Sequence, residues 1–280
     1  MSRLPDFLYL GPAKAGSTWI YGVLAQHPQI FMAPGKGLYF FTAHHARGLD
    51  WYREQFRGAE DALAVGEVSH TYLASAEACE RIAAANPKMK LVVSLREPVE
   101  RAFSDYLDGV KNGQIEGSFE DALEAHPELL DGSRYARQLA VYLERFEREQ
   151  LHVGVFDDLG RDPDGFAAAL FAFLGVAPHP LAPAQRKAMM PAGRPRSRAL
   201  AALAKRASWA ARALGLRALR GRAKTSRLLR SALYRPFQAG EKPRIAESTQ
   251  QRLRREFRDE VLALDALLGS DFGRRWRYRD

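Results

Sequence analysis

The run Gly11-Pro12-Ala13-Lys14-Ala15-Gly16-Ser17-Thr18-Trp19 sets two glycines at the G-x-x-x-x-G spacing of a loop that cradles phosphate. An apolar stretch, Phe7 to Leu10, leads into it, and a stretch with helical periodicity follows. In a strand–loop–helix setting, exposed backbone N–H groups at the helix start would hold an anion, and the helix dipole would favour its charge. The Ser17 and Thr18 hydroxyls add donors. The lysine of this loop, Lys14, stands two residues before Gly16, whereas a nucleotide triphosphatase carries its lysine just after the second glycine. Taken alone, the run also reads as an ordinary glycine-rich turn.

A second cluster is Ser94-Leu95-Arg96-Glu97-Pro98-Val99-Glu100-Arg101-Ala102-Phe103-Ser104-Asp105-Tyr106. Arg96 falls where a strand meets its crevice, Pro98 opens a helix, and Ser104 lies two turns into it. An arginine fork with a serine hydroxyl suits a second phosphate. Arg101 reads instead as an ion-pair partner of Glu97.

These groups need a scaffold that brings strand ends together. Apolar runs at Phe7–Leu10, Leu63–Val68, Lys90–Leu95 and Leu151–Phe156 read as buried strands, with a short fifth at Ile30–Met32. Helical periodicity runs through Ser17–Ala25, Ser75–Ala85, Pro98–Val110 and Tyr135–Glu149, and Asp162-Pro163 opens a helix ending near Gly175. Alternation of strand and helix predicts βαβ units and a mainly parallel α/β sheet. His179–Pro195 reads as a loop, and Arg198–Arg212 and Lys224–Leu233 as basic amphipathic helices. A final helix over about 248–268 carries Leu253, Phe257, Val261, Leu264 and Leu268 at core-facing spacing. One domain is expected over 1–280: a core to about 178, a basic segment at about 196–235 and a packing helix at about 246–269.

The net charge is +9, yet 15 Lys or Arg and no Asp or Glu fall between Gly165 and Gly240. The rest of the chain is therefore net negative, and the basic segment calls for an anionic partner. An acidic glycan, an anionic membrane surface and nucleic acid all fit; nucleic acid is weakest because no binding module accompanies the charge. No apolar run is long enough to span a bilayer, and the first residues lack a signal-peptide pattern, so a cytoplasmic location is expected. The single cysteine, Cys79, cannot form an internal disulfide or a metal site by itself and reads as a buried structural thiol. No metal cluster is expected.

The two clusters resemble, in order, the 5′-phosphosulfate loop of sulfotransferases (Lys14 to Trp19) and their 3′-phosphate motif R-x-P-x-x-R-x-x-S-x-Y (Arg96 to Tyr106). The similarity continues through Gly37-Leu38-Tyr39-Phe40-Phe41, Gly48-Leu49-Asp50-Trp51-Tyr52, Gly66-Glu67-Val68-Ser69-His70-Thr71-Tyr72, Phe156-Asp157-Asp158-Leu159 and Leu267 to Phe272. It is closest to the bacterial and heparan-sulfate-type branch. The resemblance implies a P-loop-like fold with a basic helical C-terminal extension. It also implies 3′-phosphoadenosine 5′-phosphosulfate (PAPS) as donor, no metal, and a hydroxyl or amine of a glycan, lipid or small molecule as acceptor. By the same resemblance, Ala15 to Thr18 hold the phosphosulfate, Lys14 meets the bridging oxygen, and Arg96 with Ser104 holds the 3′-phosphate. Trp19 either stacks on adenine or belongs to the core.

The sequence departs from this pattern at the general base. Relatives of this branch carry an acidic residue just before x-x-F-F, where this chain has Gly37. His70, after the strand ending at Val68, ranks first as replacement, and Glu67, His44 and His45 follow. Each has a plain alternative: Glu67 as a buried hydrogen-bonding group, the two loop histidines as solvated residues. Lys36 is a further cation near the transferred group. A P-loop nucleotide kinase is the competing enzyme class, and Gly37 leaves open a catalytically weak nucleotide- or surface-binding protein on the same scaffold.

Overall fold

The computed structural model describes residues 3–186, 193–195, 234–236 and 243–279. Five strands form one all-parallel sheet: β1 (Phe7–Gly11), β2 (Ile30–Met32), β3 (Ala64–Val68), β4 (Lys90–Leu95) and β5 (Leu151–Val155). Their order is β2-β3-β1-β4-β5. β1 is central and buried along its whole length, which is why it reads as an unbroken apolar run. Its neighbours are β3 on one side and β4 on the other, so the sheet order reverses beside β1. The crevice at the carboxyl ends of β1, β3 and β4 is the switch point where α/β folds bind ligands.

The chain forms two compact units. The first holds Met1–Glu97, Arg134–Met189 and Arg258–Asp280, and therefore the whole sheet. One face of the sheet is covered by α1 (Ser17–Leu24) and α9 (Pro163–Leu174). Ile20, Val23, Leu170 and Phe171 pack there with Phe7, Tyr9 and Val92 of the sheet. α3 (Ala76–Ala85) packs on α7 (Tyr135–Leu143). Cys79 is buried on α3, and burial pushes its thiol up to about 11, the environment of an inert structural cysteine.

The second unit holds Pro98–Ser133 and Met190–Phe257. It contains α4 (Pro98–Lys111), α5 (Phe119–Ala125) and α6 (Glu128–Asp131). Arg101 on α4 is buried; its guanidinium binds the Ser133 hydroxyl at 2.6 Å, Asp105 at 2.9 Å and the Leu129 carbonyl. Its ion pair is thus with Asp105, one helical turn on. Gly193–Pro195 and Tyr234–Pro236 pair as short antiparallel strands. The expected basic helices Arg198–Arg212 and Lys224–Leu233 lie outside the described residues. The helix Glu247–Leu268 begins in the second unit and ends in the first.

Some expectations are corrected beyond one-residue shifts at helix ends: the stretch His179–Pro195, expected as a loop, carries a helical turn at Pro183–Arg186 and the short strand Gly193–Pro195. The strand expected from Leu63 begins at Ala64, and Leu63 is exposed. The helix expected to reach Glu149 stops at Leu143 because Phe146 turns into the core and a Glu147–Gln150 capping box feeds β5. Phe156 ends no strand; it opens α8 (Phe156–Arg161).

Candidate active site

The loop after β1 is shaped by backbone that side chains disfavour. Gly11 and Gly16 have φ of +136° and +93°, and Lys14 itself sits at φ +70°, in the left-handed region. A Cβ on Gly11 would stand 2.8 Å from the His70 carbonyl oxygen, and one on Gly16 would press on Leu159 and Phe156 at 3.2 and 3.4 Å. The glycines thus let this loop lie directly against the chain after β3 and against α8. Trp19 and Ile20 donate their backbone N–H groups to the Gly16 carbonyl, and no side chain caps α1. Ser17 and Thr18 begin this helix, and the first turn of a helix leaves its N–H groups without intrahelical acceptors. Lys36 reaches the same place: its Nζ lies 3.2 Å from Ser17 Oγ and 2.5 Å from Thr18 Oγ1.

The loop after β4 runs alongside. Arg96 Nη1 is 3.5 Å from the Lys14 carbonyl oxygen, and the guanidinium carbon lies 4.9 Å from the centroid of the Phe156 ring, a cation–π arrangement. Two buried phenols hold the backbones of the two loops from below: Tyr9 donates to the Pro12 carbonyl at 3.0 Å and Tyr135 to the Arg96 carbonyl at 2.9 Å. The last residues of the chain close this side. Trp276 donates to Asp157 at 3.2 Å, Arg275 pairs with Asp158 and Tyr278 bonds Glu97. Ser104 lies half-buried on α4, in the second unit.

β3 supplies the third wall. Glu67 is buried and accepts from Tyr72 at 2.6 Å, Ser69 at 2.8 Å and Tyr52 at 2.9 Å. Burial pushes its carboxyl above the usual range, although these hydrogen bonds pull the other way. A carboxyl that accepts from three hydroxyls and is enclosed by core aromatics fixes the loop that follows β3. His70, three residues on, is half-buried, and Tyr39 Oη lies 3.1 Å from its Nδ1 and 3.3 Å from its Nε2.

Other sequence candidates fall elsewhere. Trp19 is in the core: its ring meets Phe166 edge-on, and its Nε1–H donates to the Gln185 carbonyl at 2.7 Å. His45 is exposed on a short turn with its ring against Phe40, and His44 lies against Trp51. Sequence reasoning missed Tyr9, Tyr135 and Phe156 as supports, and Tyr39 as the partner of His70. Among the described residues, no group of three or more His, Cys, Asp or Glu could hold a metal ion, and no helix is long and apolar enough to cross a membrane.

Residues 4–189 match the family model described as "Sulfotransferase domain". Similar proteins include the membrane-associated sulfotransferase kil1 of Dictyostelium discoideum, 30% identical over 46% of this chain and 29% of its own length. Human heparan sulfate glucosamine 3-O-sulfotransferase 3B1 is 30% identical over 62% of this chain and 47% of its own. Human bifunctional heparan sulfate N-deacetylase/N-sulfotransferase 3 is 31% identical over 63% and 23%. The chain spans less than half the length of these curated relatives. A solved sulfotransferase from Alicyclobacillus acidocaldarius shares the fold, with a TM-score of 0.72 and 24% identity over 98% of this chain and 99% of that one.

Proposed function

The chain belongs to the sulfotransferase domain family, and we propose that it moves a sulfuryl group from PAPS to a hydroxyl or amine, most simply on an acidic glycan. One observation carries the reading. The loop after β1, with Lys14 and with Lys36 reaching over from the chain after β2, and the loop after β4, with Arg96, lie side by side at the switch point. That cationic pair suits a donor with two separated anionic ends. The α1 N-terminus, the two glycines and three cations fit such a polyanion. A kinase reading is disfavoured because no lysine follows Gly16.

In this reading the donor supplies an activated sulfuryl group on its 5′-phosphate. Ala15 to Thr18 orient that end through backbone N–H groups and the two hydroxyls. Lys14 holds its ammonium at the bridging oxygen, where charge grows as transfer proceeds. Arg96 selects the 3′-phosphate. His70 is the general base. Glycan acceptors are favoured because the names of the heparan sulfate relatives state them, and because the acid-free stretch between Gly165 and Gly240 suits an anionic chain.

The test is calorimetry with adenosine 3′,5′-bisphosphate and with AMP. The bisphosphate should bind tighter by ~1.5–3 kcal/mol, the worth of a charge-assisted pair, and Arg96→Ala should erase the difference. Equal affinities in the wild-type protein would sink the assignment.

A further inference from the structure

Gly37 leaves the family's acidic position without a titratable group, and the structure shows what occupies the space instead. Gly37 has φ +80°, and a Cβ there would stand 2.8 Å from Cε2 and Cζ of Tyr39 and 3.0 Å from its Oη. The phenol thus fills the place where a side chain at position 37 would begin. Tyr39 is held there in the left-handed region, at φ +51°, which an aromatic residue rarely adopts; such strained residues cluster at active sites and ligand clamps. Backbone bonds fix both ends of the segment: Gly37 N–H donates to Val68 O at 2.8 Å, and Tyr39 N–H to Ser69 Oγ at 3.0 Å. The side chains on either side point to the two chemical partners. Lys36 reaches Ser17 and Thr18 of the anion loop, and Tyr39 reaches His70, whose carbonyl packs on Gly11 of the same loop.

We propose that Tyr39 and His70 form a proton relay that replaces the missing carboxylate, with the Tyr39 phenol oxygen facing the acceptor; this rests on the sulfotransferase reading above. As the acceptor oxygen bonds to sulfur, its proton passes to Tyr39 Oη, and the phenol proton passes to the nearer imidazole nitrogen, leaving an imidazolium. The bond between sulfur and the 5′-phosphate oxygen breaks, and its electron pair stays on that oxygen beside Lys14. His70 is the base, and Tyr39 is the catalytic residue that touches the acceptor. Glu67 keeps the loop after β3 in place through Ser69, which binds both Glu67 and the Tyr39 backbone.

The experiment compares two acceptors under PAPS: an unsulfated glucosamine–uronic acid tetrasaccharide, whose hydroxyls need a base, and p-nitrophenol, which is already ionised near neutral pH. Tyr39→Phe and His70→Gln should each slow transfer to the tetrasaccharide by ~10²–10⁴-fold, and the double variant should be no slower than the worse single one. Transfer to p-nitrophenol should change by less than about fivefold. Bisphosphate affinity and melting temperature, measured on each variant, should stay at the wild-type values. A Tyr39→Phe enzyme as fast as wild type on the tetrasaccharide overturns the relay, and so does one slowed equally on both acceptors. If wild-type protein fails to prefer adenosine 3′,5′-bisphosphate over AMP, the donor reading falls and takes the relay with it. Tight bisphosphate binding with an unaffected Tyr39→Phe overturns the relay alone.

Discussion

Tyr135 donates its buried phenol to the carbonyl oxygen of Arg96 at 2.9 Å. The contact acts on the backbone of the residue whose guanidinium is the cation of the second loop, so it sets where that cation projects from β4. Tyr9 does the same for the first loop through Pro12. The two phenols are close enough that Tyr135 helps to push the Tyr9 hydroxyl far above its usual range, with burial as the larger cause. Tyr9 stays a neutral donor across the pH range of a working enzyme.

Tyr135→Phe removes that donor from the Arg96 carbonyl. Stability should fall by about 1–3 kcal/mol. Affinity for adenosine 3′,5′-bisphosphate should fall while affinity for AMP holds, because only the 3′-phosphate depends on Arg96 in the proposed mode. Calorimetry on the variant checks this, and a proportionate loss for both nucleotides would limit Tyr135 to a structural role.

Lys14→Ala should lower kcat far more than it weakens bisphosphate binding. Its ammonium is assigned to an oxygen whose charge grows only as the sulfur–oxygen bond breaks, so its contact strengthens in the transition state. Lys36, bonded to the Ser17 and Thr18 hydroxyls, should show the opposite split, with the larger effect on binding. Single-turnover rates and binding isotherms on both alanine variants separate the two. Identical patterns would show that the lysines do not divide the work this way.

How much of this was legible in the sequence depends on whether the signal was local. The β1 loop, the Arg96 cluster and the buried strands are written in consecutive residues, and β1, β2, β4 and α1 fall within a residue or two of their expected bounds. The supports were not legible. Tyr9 and Tyr135 read as strand and helix core residues, and only the fold brings their hydroxyls under two loops. Asp157 and Asp158 gave no hint of Trp276 and Arg275, over a hundred residues on. Tyr39 stands in the aromatic motif Gly37 to Phe41, but its left-handed backbone and its approach to His70 come only with the fold.

His152, on edge strand β5, gives a prediction about acid. Burial, with Arg148 nearby, lowers its pKa to about 4, and its ring packs on Phe173. A histidine whose folded pKa is depressed binds its proton more readily when unfolded, so its contribution is intact above its ordinary pKa of ~6.5. Stability should therefore fall as pH drops below about 6.5, with the loss complete near pH 4 and on the order of 3 kcal/mol. Urea unfolding at pH 7.5 and 4.5 measures it. His152→Gln should lessen the difference between the two pH values, and an equal difference in both proteins would remove His152 as the source.

Gly37→Glu tests whether the missing acid is a simple loss or part of a different site. Restoring the family's carboxylate to an otherwise unchanged pocket would raise the rate. The geometry predicts a decrease. An L side chain at φ +80° is strained, and its Cβ would stand 2.8 Å from the Tyr39 ring, which must swing away from His70. Gly37→Ala carries the same strain without the carboxylate, and both variants should be slower than wild type on a sugar hydroxyl and less stable by about 1–3 kcal/mol. In a Tyr39→Ala background the ring is gone and the sign should reverse: adding Gly37→Glu should recover part of the lost rate, while adding Gly37→Ala should not. Such a reversal within one double-mutant cycle means that Tyr39 and a carboxylate at 37 compete for the same space and the same task. A Gly37→Glu enzyme faster than wild type with Tyr39 in place would show instead that the phenol yields that space freely.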